Sequence, residues 1–164
     1  MTGFQDQIVE AIPRLRRFCV AITSSMADGD DLLQSTVERA LKRRETFKPG
    51  QRMESWLFKI AQNQWIDQKR ADLRRGPMTD LSETTHIAGE DGRSKVESRS
   101  LMRSLLDCIS LLPEQQRLVV AHVLVDGQSY KEAAGNLGVP VGTIMSRLSR
   151  ARKTLETQLL DSEE

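Results

Sequence analysis

The chain has 164 residues, 38% of them apolar, with a mean hydropathy of −0.44, which suits a folded soluble protein of one ordinary domain or two very small ones. No apolar run approaches the roughly 20 residues that a bilayer span needs, and "MTGFQDQIVEAIP" lacks the basic-then-apolar order of a secretory signal, so the cytoplasm is the expected compartment. The 24 Lys and Arg nearly balance the 23 Asp and Glu. They are unevenly placed, however: 42–75 and 147–153 are basic, while Asp28, Asp30 and Asp31, the stretch 80–91 and the tail are acidic. Such blocks form either solvated faces or docking surfaces.

Apolar residues recur at steps of three and four with little alternation, so the expected fold class is all-α. Ile8, Val9, Ile12, Leu15, Phe18, Cys19 and Ile22 form one stripe, with Pro13 inside it expected to kink or break the first helix. A second helix is expected to begin near Asp30, capped by Asp28, Asp30 and Asp31, with Leu32, Leu33, Val37, Ala40 and Leu41 inward. "FKPGQRM" (47–53) contains Pro-Gly and reads as a loop, followed by a third helix over 54–75 with Trp56, Leu57, Ile60, Ala61 and Ile66 at helical spacing. Trp65 fits the core better than it fits a stacking surface. These elements make a small three-helix bundle over 1–75.

The stretch 76–95 is rich in Gly, Ser, Thr and acidic residues without a period, and reads as a flexible linker. Periodicity returns in a second domain, 96–164, with Leu101, Leu105, Ile109 and Leu112; Pro113 then opens another helix that Gly127 ends. "SYKE" (129–132) is a capping box for a short helix that stops at Gly138, and Pro140 introduces the last helix. Each half is small enough that its own core is modest and it leans on a partner.

A capped short helix, a Gly-containing turn and a basic second helix form a helix-turn-helix pattern. Ala133, Ala134 and Gly135 allow close helix approach, while Val139, Val141, Ile144 and Leu148 face inward. Thr143, Met145, Ser146, Arg147, Ser149, Arg150 and Lys153 are left toward the start and outer side, where a DNA-binding version reads base edges and phosphates. A charged helical hairpin without a nucleic-acid partner has the same pattern.

Two segments carry a family resemblance. "LPEQQRLVVAHVLVDGQSYKEAAGNLGVPVGTIMSRLSRARKTL" (112–155) resembles the fourth conserved region of bacterial sigma factors of the extracytoplasmic-function (ECF) group. "DDLLQSTVERAL" (30–41) with "SWLFKIAQNQWIDQKR" (55–70) resembles their second conserved region. "AIPRLRRFCVAIT" (11–23) is similar to the general-stress branch. The resemblance implies core RNA polymerase and promoter DNA as partners, with an anti-sigma factor that occludes both halves. It places polymerase binding on Asp31, Leu32, Gln34 and Glu38. It places start-proximal DNA on Phe47, Gln51, Arg52, Lys59, Asn63, Lys69 and Arg70, the loop supplying a pocket for a flipped-out base. The upstream element falls to the seven last-helix residues named above. Two positions depart from the family's pattern: Ser35 stands where many relatives carry Glu, and Met145 where they carry Lys or Arg.

Two other readings keep the fold. One is a sigma-like mimic that binds an anti-sigma factor without DNA; it is disfavoured by the retained Arg147, Arg150 and Arg152 and by a length that leaves no room for a receiver domain. The other is an ordinary helix-turn-helix regulator, which gives "DDLLQ" no purpose. An enzyme is not expected: His86 and His122 have no partners at ligand spacing, and no nucleophile motif or phosphate-binding loop occurs. No metal, cofactor, small-molecule substrate or membrane insertion is expected, and Cys19 and Cys108 are too far apart in sequence for a metal spacing and read as buried thiols.

Overall fold

The computed structural model describes residues 3–76 and 93–161. The expected linker falls almost wholly on 77–92, outside the described residues, as does His86. The described residues form helices joined by short turns and loops, with no strand among them: α1 (Phe4–Thr23), α2 (Met26–Lys42), a 3₁₀ turn (Arg44–Thr46), α3 (Met53–Arg75), α4 (Arg93–Ser110), α5 (Glu114–Val119), a π-helical turn (Val120–Val125), α6 (Tyr130–Leu137) and α7 (Val141–Asp161).

α1 does not break at Pro13. The missing N–H deprives the Val9 carbonyl of its donor, but Val9 is 63% exposed and Pro13 lies on the solvent side, so water can substitute while Ile8, Ala11 and Leu15 stay buried. For the same reason Val9 does not belong to the buried stripe. α2 starts earlier than the acidic cluster suggests: Ser25 is the N-cap, its Oγ accepting from Asp28 N at 3.2 Å. Asp30 instead receives two hydrogen bonds from Arg16, at 2.8 and 3.4 Å. Gly29 permits this close pairing of α1 and α2, since a Cβ there would lie 2.6 Å from Val20 Cα.

The first three helices close around Phe18, Phe58, Leu15, Ile22 and Leu57, with Phe18 and Phe58 stacked at 4.6 Å. Burying each of these side chains contributes roughly 1.5–3 kcal/mol. Leu32, Leu33 and Val37 pack on this core half-buried, while Leu41 is exposed. Trp56 and Trp65 are both buried, as expected.

In the second half the expected α4 stripe is corrected. Leu101 and Leu105 are exposed, and the buried positions are Leu106, Cys108, Ile109 and Leu112. The Ser129–Glu132 capping box is present in both directions, and Gly138 ends α6 in the left-handed region at φ 68°. Ala133 and Ala134 pack against Ile144 and Leu148, whereas Gly135 and Val141 face solvent. Both cysteines are buried and free, and burial pushes the Cys19 thiol up to about 12.

The two halves are docked. Leu118 and Ala121 belong to the same buried cluster as the α1–α3 core, and Val125 and Leu137 pack against it. Each small half thus completes its core with the other.

Candidate nucleic-acid interface

On α2, Asp31, Gln34 and Glu38 are exposed at spacings that put them on one face, with Gln34 Nε2 3.5 Å from Glu38 Oε1. Leu32 points the other way, half-buried against the core. The face can therefore present two carboxylates and an amide to a partner, while Leu32 fixes the helix that carries them.

The 47–52 loop is anchored by its own first residue. The Phe47 ring lies 5.6 Å from Phe4 and 5.1 Å from Trp56, and Arg44 sits over Phe4 at 5.3 Å. Phe47 thus differs from the expectation of a stacking group open to a base: its ring holds the loop to the body of the domain. Gln51 and Arg52 remain exposed at the loop's end. On α3, Lys59, Asn63 and Arg70 share one exposed face, and Lys69 Nζ stands 5.8 Å from the Trp65 ring centroid.

In α7, the buried Ile144, Leu148 and Ala151 turn Met145, Ser146, Ser149, Arg150 and Lys153 outward, with Thr143 and Arg147 half-exposed. Met145 is 53% exposed, a large apolar side chain on an otherwise polar surface, suited to a thymine methyl rather than a phosphate. Ser146 Oγ donates to the Thr143 carbonyl at 3.2 Å.

The docking of the halves brings two of these surfaces together. Lys69, Arg70 and Leu73 of α3 face Arg147 and Arg150 of α7 across a groove of about 480 Å³ whose only acidic lining residue is Glu114. At the opposite end of the contact, Arg52 lies 3.8 Å from Glu132 of α6. Lys59, Asn63, Ser149 and Lys153 do not line that groove.

The residues that join the halves carry no sequence motif. Arg14 of α1 donates from Nε and Nη2 to the two carboxylate oxygens of Asp126, at 3.0 and 3.1 Å, and its Nη1 lies 3.6 Å from Glu54. Gln128 Nε2 donates to Asp126 at 2.9 Å, which leaves Gln128 Oε1 to accept from Asn136 at 2.8 Å and from His122 Nδ1 at 3.1 Å. A neutral imidazole with its proton on Nδ1 offers Nε2 as an acceptor, so the Gln62 amide, 2.9 Å away, is satisfied with its NH₂ toward the ring. His122 is 1% exposed and packs edge-on against Phe18. Burial lowers its pKa to about 4, against smaller opposing contributions from Gln128 and Asp126. Arg117 of α5 donates to Ile22 O, Ser110 O and Leu112 O, sits 5.7 Å from the Trp65 ring, and leaves Nε without an acceptor. Burial lowers its pKa as well. The π-helical turn, where Asp126 N bonds to Ala121 O five residues back, sets His122 and Asp126 toward the first half. Among the described residues no group of His, Cys, Asp and Glu is arranged to hold a metal ion.

Two helical halves, one ending in a helix-turn-helix with an exposed polar and basic face, have the two-part architecture of sigma-type DNA-binding proteins. A family model for sigma-70 region 4 matches residues 102–155, and one for the Sigma2 domain of PhyR matches 8–62. The ECF RNA polymerase sigma factor EcfG of Rhodopseudomonas palustris is 34% identical over 157 residues, covering 96% of this chain and 85% of that protein. The sigma factor RpoE of Bartonella quintana, solved in complex with the anti-sigma factor NepR, is similar at a TM-score of 0.77 and 26% identity over 97% of this chain and 98% of its own. The anti-anti-sigma factor PhyR of the same organism, also solved with NepR, shares the fold at a TM-score of 0.60 and 17% identity, over 95% of this chain and 50% of its own. The chain belongs to the ECF sigma factors of RNA polymerase.

Proposed function

We propose that this sigma factor divides its work between its halves. Residues 1–75 bind polymerase through Asp31, Gln34 and Glu38, positioned by Leu32, and hold the start-proximal promoter element through Gln51, Arg52, Lys59, Asn63, Lys69 and Arg70, on a loop that Phe47 anchors. Residues 96–164 read the upstream element through Thr143, Met145, Ser146, Arg147, Ser149, Arg150 and Lys153. The observation that carries this reading is the outward display of the α7 residues by the buried Ile144, Leu148 and Ala151. The protein acts by positioning polymerase rather than by catalysis, works in the cytoplasm, and answers to a NepR-like anti-sigma factor in a general stress response. No helix among the described residues is long and apolar enough to cross a membrane.

A second reading, the DNA-free anti-sigma-binding mimic, is favoured by the PhyR-type model that matches residues 8–62. The two separate in a reconstituted system. Arg147→Ala with Arg150→Ala should reduce promoter-dependent transcription at least tenfold, since each lost base or phosphate contact costs roughly 1–3 kcal/mol, while core polymerase binding stays intact. Asp31→Ala with Glu38→Ala should weaken core binding instead. Transcription unaffected by the α7 changes would contradict the assignment.

A further inference from the structure

The groove between α3 and α7 gathers positive charge that the chain does not neutralise. Lys69 and Arg70 line it from the first half, Arg147 and Arg150 from the second. Lys69, Arg70 and Arg150 are exposed and Arg147 is half-exposed, so the space of about 480 Å³ is open to a ligand. None of the four takes part in an ion pair among the described residues, where the paired cations are Arg14, Arg16 and Arg52. Glu114 is the one carboxylate on the lining. The buried Arg117 adds to the same field: it lies by the Trp65 ring at 5.7 Å, as Lys69 does at 5.8 Å, and its hydrogen bonds go to backbone carbonyls rather than to a carboxylate.

Like charges on the walls of one cleft repel one another and focus their potential into it, and a bound anion relieves both effects. The chemistry of these cations narrows the choice of anion. Three are guanidinium groups, whose forked donors match phosphate oxygens, and the fourth is a lysine ammonium, a point charge that phosphates also accept. Four cations drawn from two helices exceed what a single monovalent anion can engage. They suit several negative charges spaced along a chain, as in an oligophosphate. The rest of the lining is of another kind. Ile66, Pro113 and Leu73, the last 82% exposed, offer apolar surface to a flat ring. Gln116 also lines the groove, and its Oε1 is buried with no hydrogen-bond partner. Turned into the groove, that amide oxygen gains the partner it lacks from an amine or hydroxyl of a ligand. The volume is within the range of sites for small molecules.

We propose that the groove is a binding site for a nucleoside polyphosphate. Its phosphate chain lies on Lys69, Arg70, Arg147 and Arg150, its base rests on Ile66, Leu73 and Pro113, and Gln116 Oε1 accepts from the nucleoside. Under the proposed function the same four cations contact promoter DNA, so ligand and promoter compete for them; the binding itself does not depend on that reading.

The test is isothermal titration calorimetry of the full chain with ATP, GTP and inorganic tripolyphosphate, at physiological ionic strength and without magnesium. At least one nucleotide should bind saturably at one site per chain, about tenfold more tightly than tripolyphosphate, the margin that one hydrogen bond and the covered apolar surface supply. Lys69→Gln with Arg70→Gln, and separately Arg147→Gln with Arg150→Gln, should each weaken the nucleotide at least about tenfold, since each pair removes charge-assisted contacts. Arg39→Gln with Lys42→Gln, exposed cations of α2 that do not line the groove, should leave affinity unchanged. Gln116→Leu should bring the nucleotide's affinity down toward that of tripolyphosphate. Circular dichroism reports folding, and if Gln116→Leu loses helix content the paired charge variants decide, because three of their four side chains are exposed. Absence of binding by both nucleotides would overturn the site. So would tripolyphosphate binding as tightly as either nucleotide, which marks a bare polyanion surface, weakening by one charge pair alone, or equal weakening by the α2 pair. The titration contains neither DNA nor polymerase, so its outcome is separate from that of the proposed function.

Discussion

His122 gives a quantitative handle on the docking of the two halves. Burial holds it neutral, with a pKa near 4 in the folded chain against an ordinary 6.5. A base whose folded pKa is depressed binds fewer protons folded than unfolded between these values. Its contribution to stability is therefore complete above pH 6.5, declines as pH falls, and is lost below about 4. Each pH unit of separation is worth about 1.4 kcal/mol, so protonating His122 should cost the folded chain about 3 kcal/mol. Because the ring is buried between Phe18 and Gln62 of the first half and Gln128 of the second, undocking the halves relieves the same penalty. Urea unfolding of the parental chain and of His122→Gln, at pH values from 7.5 to 4, isolates the effect: the carboxylates titrate in both, and their difference belongs to His122. The parental chain should lose about 3 kcal/mol more than the variant over that range. Proton NMR titration supplies the pKa directly, because the only other histidine is His86 and His86→Gln identifies its signal. Parallel pH dependences, or a titration midpoint near 6.5, would refute the reasoning.

Two further expectations concern how the halves are built. Gly29→Ala would force a Cβ to within 2.6 Å of the Val20 backbone, which cannot move aside as a flexible side chain can, so chemical denaturation should show a loss of about 1–3 kcal/mol. Ser129→Ala removes the acceptor for Glu132 N and should cost about 1 kcal/mol, read as a lowered thermal midpoint with the helix-turn-helix still formed.

Local chemistry was readable from the chain where one residue decides the conformation. The Ser129–Glu132 box, the left-handed Gly138 and the Pro49-Gly50 loop act within a few residues, and each is where the sequence places it. Trp56 of α3 and Ile144 and Leu148 of α7 followed from period alone, whereas Val141, on the same expected side, faces solvent. Period failed where it met a boundary condition set elsewhere. Leu101 and Leu105 continue a helical stripe, yet no element among the described residues covers them, whereas Leu106 and Cys108, one step around the helix, are covered. Pro13 is tolerated because the carbonyl it orphans faces water. The acidic run at 28–31 resembled a cap, but Ser25 competed successfully and Asp30 found Arg16.

The docking of the halves had no local signature at all. Arg14, Arg117, His122 and Asp126 look like ordinary surface residues in sequence, and only a partner 60 to 112 positions away turns them into an interface. The small size of each half did point to dependence on another body, and that body proved to be the other half. Phe47 shows the converse: an aromatic in the loop that the family resemblance assigns to DNA suggested base stacking, while Phe4 and Trp56 engage its ring.

The central claim, promoter-directing activity shared by the two halves, is tested most directly by transcription from a library of promoter fragments with core RNA polymerase of the source organism, reading transcript starts by sequencing. The account predicts specific starts that require this protein and share two sequence elements at a fixed spacing, the upstream one lost when Arg147 and Arg150 are replaced by alanine. No protein-dependent starts, with the same polymerase and templates active under another sigma factor, would contradict it.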